Sequence, residues 1–151
     1  MSREMTSFVY VTYIQSTREK VFEAITRPEL ARRYWGHENV SDWKVGSQWQ
    51  HVRDNDEHTV ELVGEVIETN PPSRLVITWA NASRADNPDA YSRVTFDIED
   101  YNDMVKLTVS HDELEAGSSM FSGISKGWPA VLSSLKSFLE TGKGLNIINK
   151  S

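Results

Sequence analysis

Between residues 119 and 140 the apolar side chains fall at Phe121, Ile124, Trp128, Val131, Leu132, Leu135, Phe138 and Leu139. The steps of three, four, three, one, three, three and one follow the 3.6-residue turn of a helix with one broad apolar stripe. Ser122, Ser125, Lys126, Ser133, Lys136, Ser137 and Glu140 take the other face. Gly142 and Gly144 end the helix, and Lys143 stands where its carbonyl end favours a cation. Pro129 lacks the N–H for the carbonyl of Ser125, so the helix either kinks there or starts there. The unbroken period through Phe121 and Ile124 predicts a continuous, kinked helix. Gly123 and Gly127 beside Trp128 let the backbone approach something closely, or leave room next to it.

A helix of about twenty residues with so wide an apolar face needs a large partner surface. The rest of the chain offers that surface as strands. Residues 7–14 are β-branched and aromatic, apolar on both parities, and are expected to be covered on both sides. Residues 16–19 (STRE) fit a capping box with Ser16 as N-cap. A helix carrying Val21, Phe22 and Ile25 follows, then a second short helix from Pro28 to Tyr34. Short strands are expected at 41–43 and 47–53, joined at Val45-Gly46. Longer ones are expected at 59–69, 74–80, 90–99 and 104–111, with polar turns between them. Short connections predict an antiparallel meander. The fold class is therefore α+β: a curved sheet of six to seven strands around a long C-terminal helix, with two short helices after the first strand.

Length sets one domain, residues 1–151, with a core over about 7–142 and a tail over 143–151. With no cysteine there is no disulfide, thiolate metal site or cysteine nucleophile. The charge of −6 argues against nucleic acid as the main partner. No apolar run approaches the roughly 18 residues of a membrane span, and the first residues lack a signal-peptide pattern. A cytoplasmic location and no membrane partner are the resulting expectations.

Alternation assigns side chains to the helix-facing side of the sheet. Val105, Leu107, Val109 and His111 share one parity, Val94, Phe96 and Ile98 another. Leu75, Ile77 and Trp79 form a third set, Leu62, Gly64 and Val66 a fourth, and Trp49 and His51 a fifth. The aromatic set Trp35, Trp49, Trp79, Tyr91, Phe121 and Trp128, with His51 and His111, makes a candidate ligand-binding site. The plainer reading is a tight aromatic core. Polar groups mixed among indoles favour a pocket with apolar walls and a few orienting hydrogen bonds. His51 and His111 are the candidate proton carriers if the pocket is catalytic. His37 and His58 are placed in solvated loops. No metal-ligand spacing, phosphate-binding loop or G-x-S-x-G motif occurs, so neither a metal nor a cofactor is implied.

In this order, the segments 16–33 (STREKVFEAITRPELARR), 41–49 (SDWKVGSQW), 64–79 (GEVIETNPPSRLVITW), 92–96 (SRVTF), 105–112 (VKLTVSHD) and 127–142 (GWPAVLSSLKSFLETG) cover nearly the whole chain. Together they resemble the helix-grip, START/Bet v 1-like (SRPBCC) superfamily. More narrowly, they resemble bacterial proteins related to the C-terminal domain of the activator of Hsp90 ATPase. The resemblance implies a sheet gripping the last helix around a hydrophobic cavity, and it carries no shared catalytic motif. Three functions follow as expectations. The first is binding of a small hydrophobic, aromatic or lipid-like molecule between sheet and helix. The second is a cyclase or hydrolase using the same cavity. The third is an Hsp90-type chaperone co-factor, disfavoured because the eukaryotic namesake has a further N-terminal domain. Association into a homodimer is left open.

Overall fold

The structure, a computed structural model, describes residues 4–147. The first residues of the N-terminus and residues 148–151 of the expected tail lie outside the described residues. The elements run β1 (Met5–Ile14), α1 (Arg18–Thr26), α2 (Pro28–Trp35), β2 (His37–Val40), β3 (Gln48–Arg53), β4 (Val60–Asn70), β5 (Arg74–Asn81), β6 (Ser92–Tyr101), β7 (Met104–Glu115) and α3 (Ser119–Thr141). All seven strands form one antiparallel sheet in the order β1-β7-β6-β5-β4-β3-β2. The meander therefore runs from β2 to β7, and β1 returns to pair beside β7. This is the expected α+β helix-grip arrangement.

The amphipathic stripe decides where α3 lies. Ile124, Trp128, Val131, Leu132, Leu135 and Phe138 are buried on the sheet, while the serine-rich face stays outward. The helix is continuous through Pro129, as its period predicts, and Gly142 closes it in the left-handed conformation at φ +87°. The helix-facing parities of β5, β6 and β7 are buried as alternation requires. Gly64 has a separate reason. A Cβ there would stand 1.8 Å from the Thr78 carbonyl oxygen and 2.4 Å from Trp49 Nε1. Only glycine lets the Trp49 indole cross β4 and donate to that carbonyl at 2.7 Å.

Four local expectations are corrected. The N-cap of α1 is Thr17, whose hydroxyl accepts from the Lys20 N–H, because Ser16 is used in a turn onto the Ile14 carbonyl. Residues 41–43 are not a strand. Ser41 Oγ accepts from the Trp43 N–H and donates to the Gln48 carbonyl, and Asp42 accepts from the Lys44 N–H. These local side-chain bonds satisfy backbone groups that a ladder would otherwise use. The strand lies earlier, at His37–Val40, so His37 is not in a solvated loop. Gly36, at φ +75°, ends α2 and passes directly into β2. Finally, β1 is covered on one face only. Val9 and Val11 remain 57% and 41% exposed, because α3 covers one face of this edge strand and no element among the described residues covers the other.

The described part of the expected tail, residues 143–147, is held in place. The Leu145 N–H donates to Ser134 Oγ, which donates in turn to the Tyr34 carbonyl. Residues 143–147 thus lie along α2 and α3.

Candidate functional site

Where α3 passes over β3, β4 and β5 it leaves a cavity of about 160 Å³, lined by Trp35, His51, Leu62, Trp79, Gly123, Ile124, Gly127, Trp128 and Val131. Its opening is the consequence of two residues one helical turn apart. A Cβ at Gly123 or Gly127 would meet nothing within 4 Å. A groove of about 390 Å³ shares Leu62, Trp79, Gly123 and Ile124 with the cavity and continues toward Asn81, Arg84 and Met120.

The walls are held by aromatic packing. Trp128 meets Trp35 and Trp79 at centroid distances of 5.7 and 5.4 Å, and Trp79 meets Trp49 at 5.4 Å. Trp79 is buried, and its indole N–H has no hydrogen-bond partner; the rings of Trp49, His111 and Trp128 surround it.

The two candidate histidines sit in different surroundings. His111, fully buried on β7, accepts at Nδ1 from Trp128 Nε1–H at 3.0 Å. Its Nε2 must then carry the proton, which goes to Ser92 Oγ at 2.7 Å, and Ser92 donates onward to the Trp79 carbonyl at 3.0 Å. Every valence in this chain is used. Burial pushes the His111 pKa down to about 3. His51, on β3, meets Asn39 Oδ1 through Nδ1 at 2.7 Å, and the Asn39 amide donates to the Ile25 carbonyl at 2.8 Å. Burial, and then the neighbouring His37, hold the His51 pKa well below its usual value.

His37 stacks on His51 at 4.3 Å with 9° between the ring planes. Both of its nitrogens face acceptors, the Trp35 carbonyl at 3.2 Å and the Glu61 carboxylate, which also takes Arg53 at 3.0 Å. Glu61 is the extra residue of a bulge in β4, between the pairs His51–Leu62 and Val52–Val60.

The structure brings Trp35, His51, Trp79 and Trp128 of the candidate set together around the cavity. His111 stands behind Trp128. Trp49 is fully buried behind Trp79, and Phe121 packs half-buried against the core. Tyr91 is on the outer face of the sheet, where it donates to the Ala85 carbonyl at 2.7 Å and lines a shallow groove with Gln48, Gly64 and Thr78. Sequence reasoning did not select Leu62, Ile124 and Val131 for the site. Their parity and helical spacing were visible, but nothing separated them from core residues. Among the described residues no group of three His, Cys, Asp or Glu side chains is placed to hold a metal ion, and no helix is long and apolar enough to cross a membrane.

No protein with a curated description matches the chain. The Aha1 dimer from Colwellia psychrerythraea superposes with a TM-score of 0.77 at 21% identity, over 93% of this chain and 100% of that one. ChR145 from Cytophaga hutchinsonii gives 0.73 at 26% identity, over 94% and 98%. PFC0360w, an HSP90 activator from Plasmodium falciparum, gives 0.66 at 22%, over 81% and 86%. At these identities the first and third show a shared fold alone. The sequence model of the family described as Activator of Hsp90 ATPase homolog 1-like protein matches residues 15–140. That span takes in both short helices, the meander and nearly all of α3, and the chain belongs to this family.

Proposed function

We propose that the protein binds a small, largely apolar molecule, aromatic or lipid-like, in the cavity between the sheet and α3. The observation that carries the reading is the pair Gly123 and Gly127. They lie on the cavity side of a helix that buries Ile124, Trp128 and Val131, and open space stands where a core helix would place side chains. The size suits a single ring: an engineered apolar cavity of about 150 Å³ is enough to bind benzene. The adjoining groove has room for a substituent chain. Trp35, Trp79 and Trp128 supply rigid walls. His111, with both nitrogens engaged, holds Trp128 in position instead of carrying protons.

One-ring aromatic compounds are expected to raise the melting temperature and to quench tryptophan fluorescence. Gly127→Leu, which fills the space, is expected to abolish both effects while leaving the fold intact. A chain that responds to no such compound does not support the reading.

The family description favours one alternative, assistance to an Hsp90-type chaperone; stimulation of an Hsp90 ATPase by the added protein tests it. Association of two copies, as in the Colwellia dimer, is supported by the exposed apolar residues Val9, Val11 and Tyr13 of β1. Sedimentation equilibrium checks this. Catalysis in the cavity is the weakest alternative, since of the two candidate histidines only His51 has a ring nitrogen not already engaged.

A further inference from the structure

Of the polar rings on the cavity wall, His51 is the one that presents an unpartnered acceptor, whereas the orphan Trp79 Nε1–H is a donor. The assignment follows from its neighbours. Asn39 Nδ2 points at the Ile25 carbonyl, which can only accept, so Asn39 Oδ1 is the atom facing His51. An amide oxygen can only accept, so His51 Nδ1 carries the proton. The neutral ring then presents Nε2 as a bare lone pair, and no protein group among the described residues donates to it. The side chain is 3% exposed. It cannot turn away, because Trp35 packs at 4.6 Å and His37 stacks at 4.3 Å. Burial and the neighbouring His37 both disfavour a proton on Nε2. An acceptor that no protein group supplies with a donor is unfavourable once a guest excludes water from it, and a fixed one discriminates among guests.

Resting on the ligand-binding reading above, we propose that the cavity selects ring compounds that donate one hydrogen bond, the phenol class, to His51 Nε2. Guests that only accept hydrogen bonds would set lone pair against lone pair. Purely apolar guests of the same shape would leave Nε2 unmatched.

The test titrates phenol and toluene, which differ little in shape, into the wild-type protein and His51→Leu at pH 7, read by tryptophan fluorescence. The ratio of phenol to toluene affinity is expected to be about tenfold higher in the wild type, the size of one unmatched buried polar group. A long-range proton–nitrogen spectrum of the wild type gives a second reading that needs no variant. It is expected to show His51 protonated on Nδ1, with the Nε2 resonance shifting on addition of phenol and not of toluene. Equal ratios in the two proteins, with an unmoved Nε2 signal, overturn the hydrogen-bond assignment and leave the cavity reading standing. Binding of neither compound to the wild type overturns both.

Discussion

His111 and His51 both face α3 from the sheet, both are buried, and both touch tryptophans. Around His111 the chain from Trp128 through Ser92 to the Trp79 carbonyl uses every donor and acceptor. Around His51 one nitrogen is fixed by Asn39 and the other is left without a protein partner, in a ring that lines the same cavity as Gly123 and Gly127. Buried histidines among indoles therefore do not mark a site by themselves. A leftover valence beside missing volume is what the proposed site rests on. Glycines repeat the contrast. Gly64 is demanded by contact and Gly127 by its absence.

The largest effect is expected at Trp128, which lines the cavity and also closes the His111 network. Trp128→Ala removes an indole that is 3% exposed and orphans His111 Nδ1. It should cost about 4 kcal/mol in urea unfolding. The same truncation at half-buried Trp35, on the same cavity wall but outside the His111 network, should cost less than half as much. Equal losses would mean the His111 bond and deeper burial of Trp128 add nothing to its packing. Gly64→Ala comes next, at about 3 kcal/mol, because its Cβ meets a backbone carbonyl that cannot yield without displacing Trp49.

Acid should weaken the protein through the same buried rings. The folded pKa of His111 lies at about 3, below its unfolded value of about 6.5. In that window the unfolded chain binds more protons, so stability is complete above the unfolded value and falls as pH drops toward the folded one. His111 alone should cost about 2 kcal/mol between pH 7 and pH 5. His51 is shifted in the same direction and adds to the slope. Thermal unfolding of His111→Gln, compared with the wild type across that range, should show a shallower slope by about one proton. An unchanged slope would remove His111 from the closed network.

Most of this architecture was legible because it rests on period. The 3.6 spacing from Phe121 to Leu139 and the alternation through Val105, Leu107, Val109 and His111 each report a surface buried on one side, and the structure buries those surfaces. What stayed hidden depends on direction and pairing. Tyr91 lies beyond the start of β6 and turns to the outer face, which residue type does not reveal. His37 looked like loop because the αL turn at Gly36 carries no apolar pattern. The stretch 41–43 looked like strand because Ser41 and Asp42 satisfy their own backbone neighbours, a competition that hydrophobicity does not register. The valences of His51 and His111 depend on Asn39 and Ser92, each remote in sequence from its partner.

The smallest expected effect separates the two kinds of glycine by sign. Gly127→Ala replaces a flexible helix residue with the best helix former and should raise stability by about 0.5–1 kcal/mol, provided the methyl group enters empty space. Gly64→Ala makes the same chemical change and should lower it. The urea midpoints of the two variants, taken at an unchanged slope, give the comparison directly. If Gly127→Ala also destabilises, something fills the volume beside α3 in solution, and that volume cannot be the room a ligand enters. If it stabilises while weakening toluene binding, the added methyl group occupies the volume the guest would have used, and the helix has kept glycine there at a cost to its own stability.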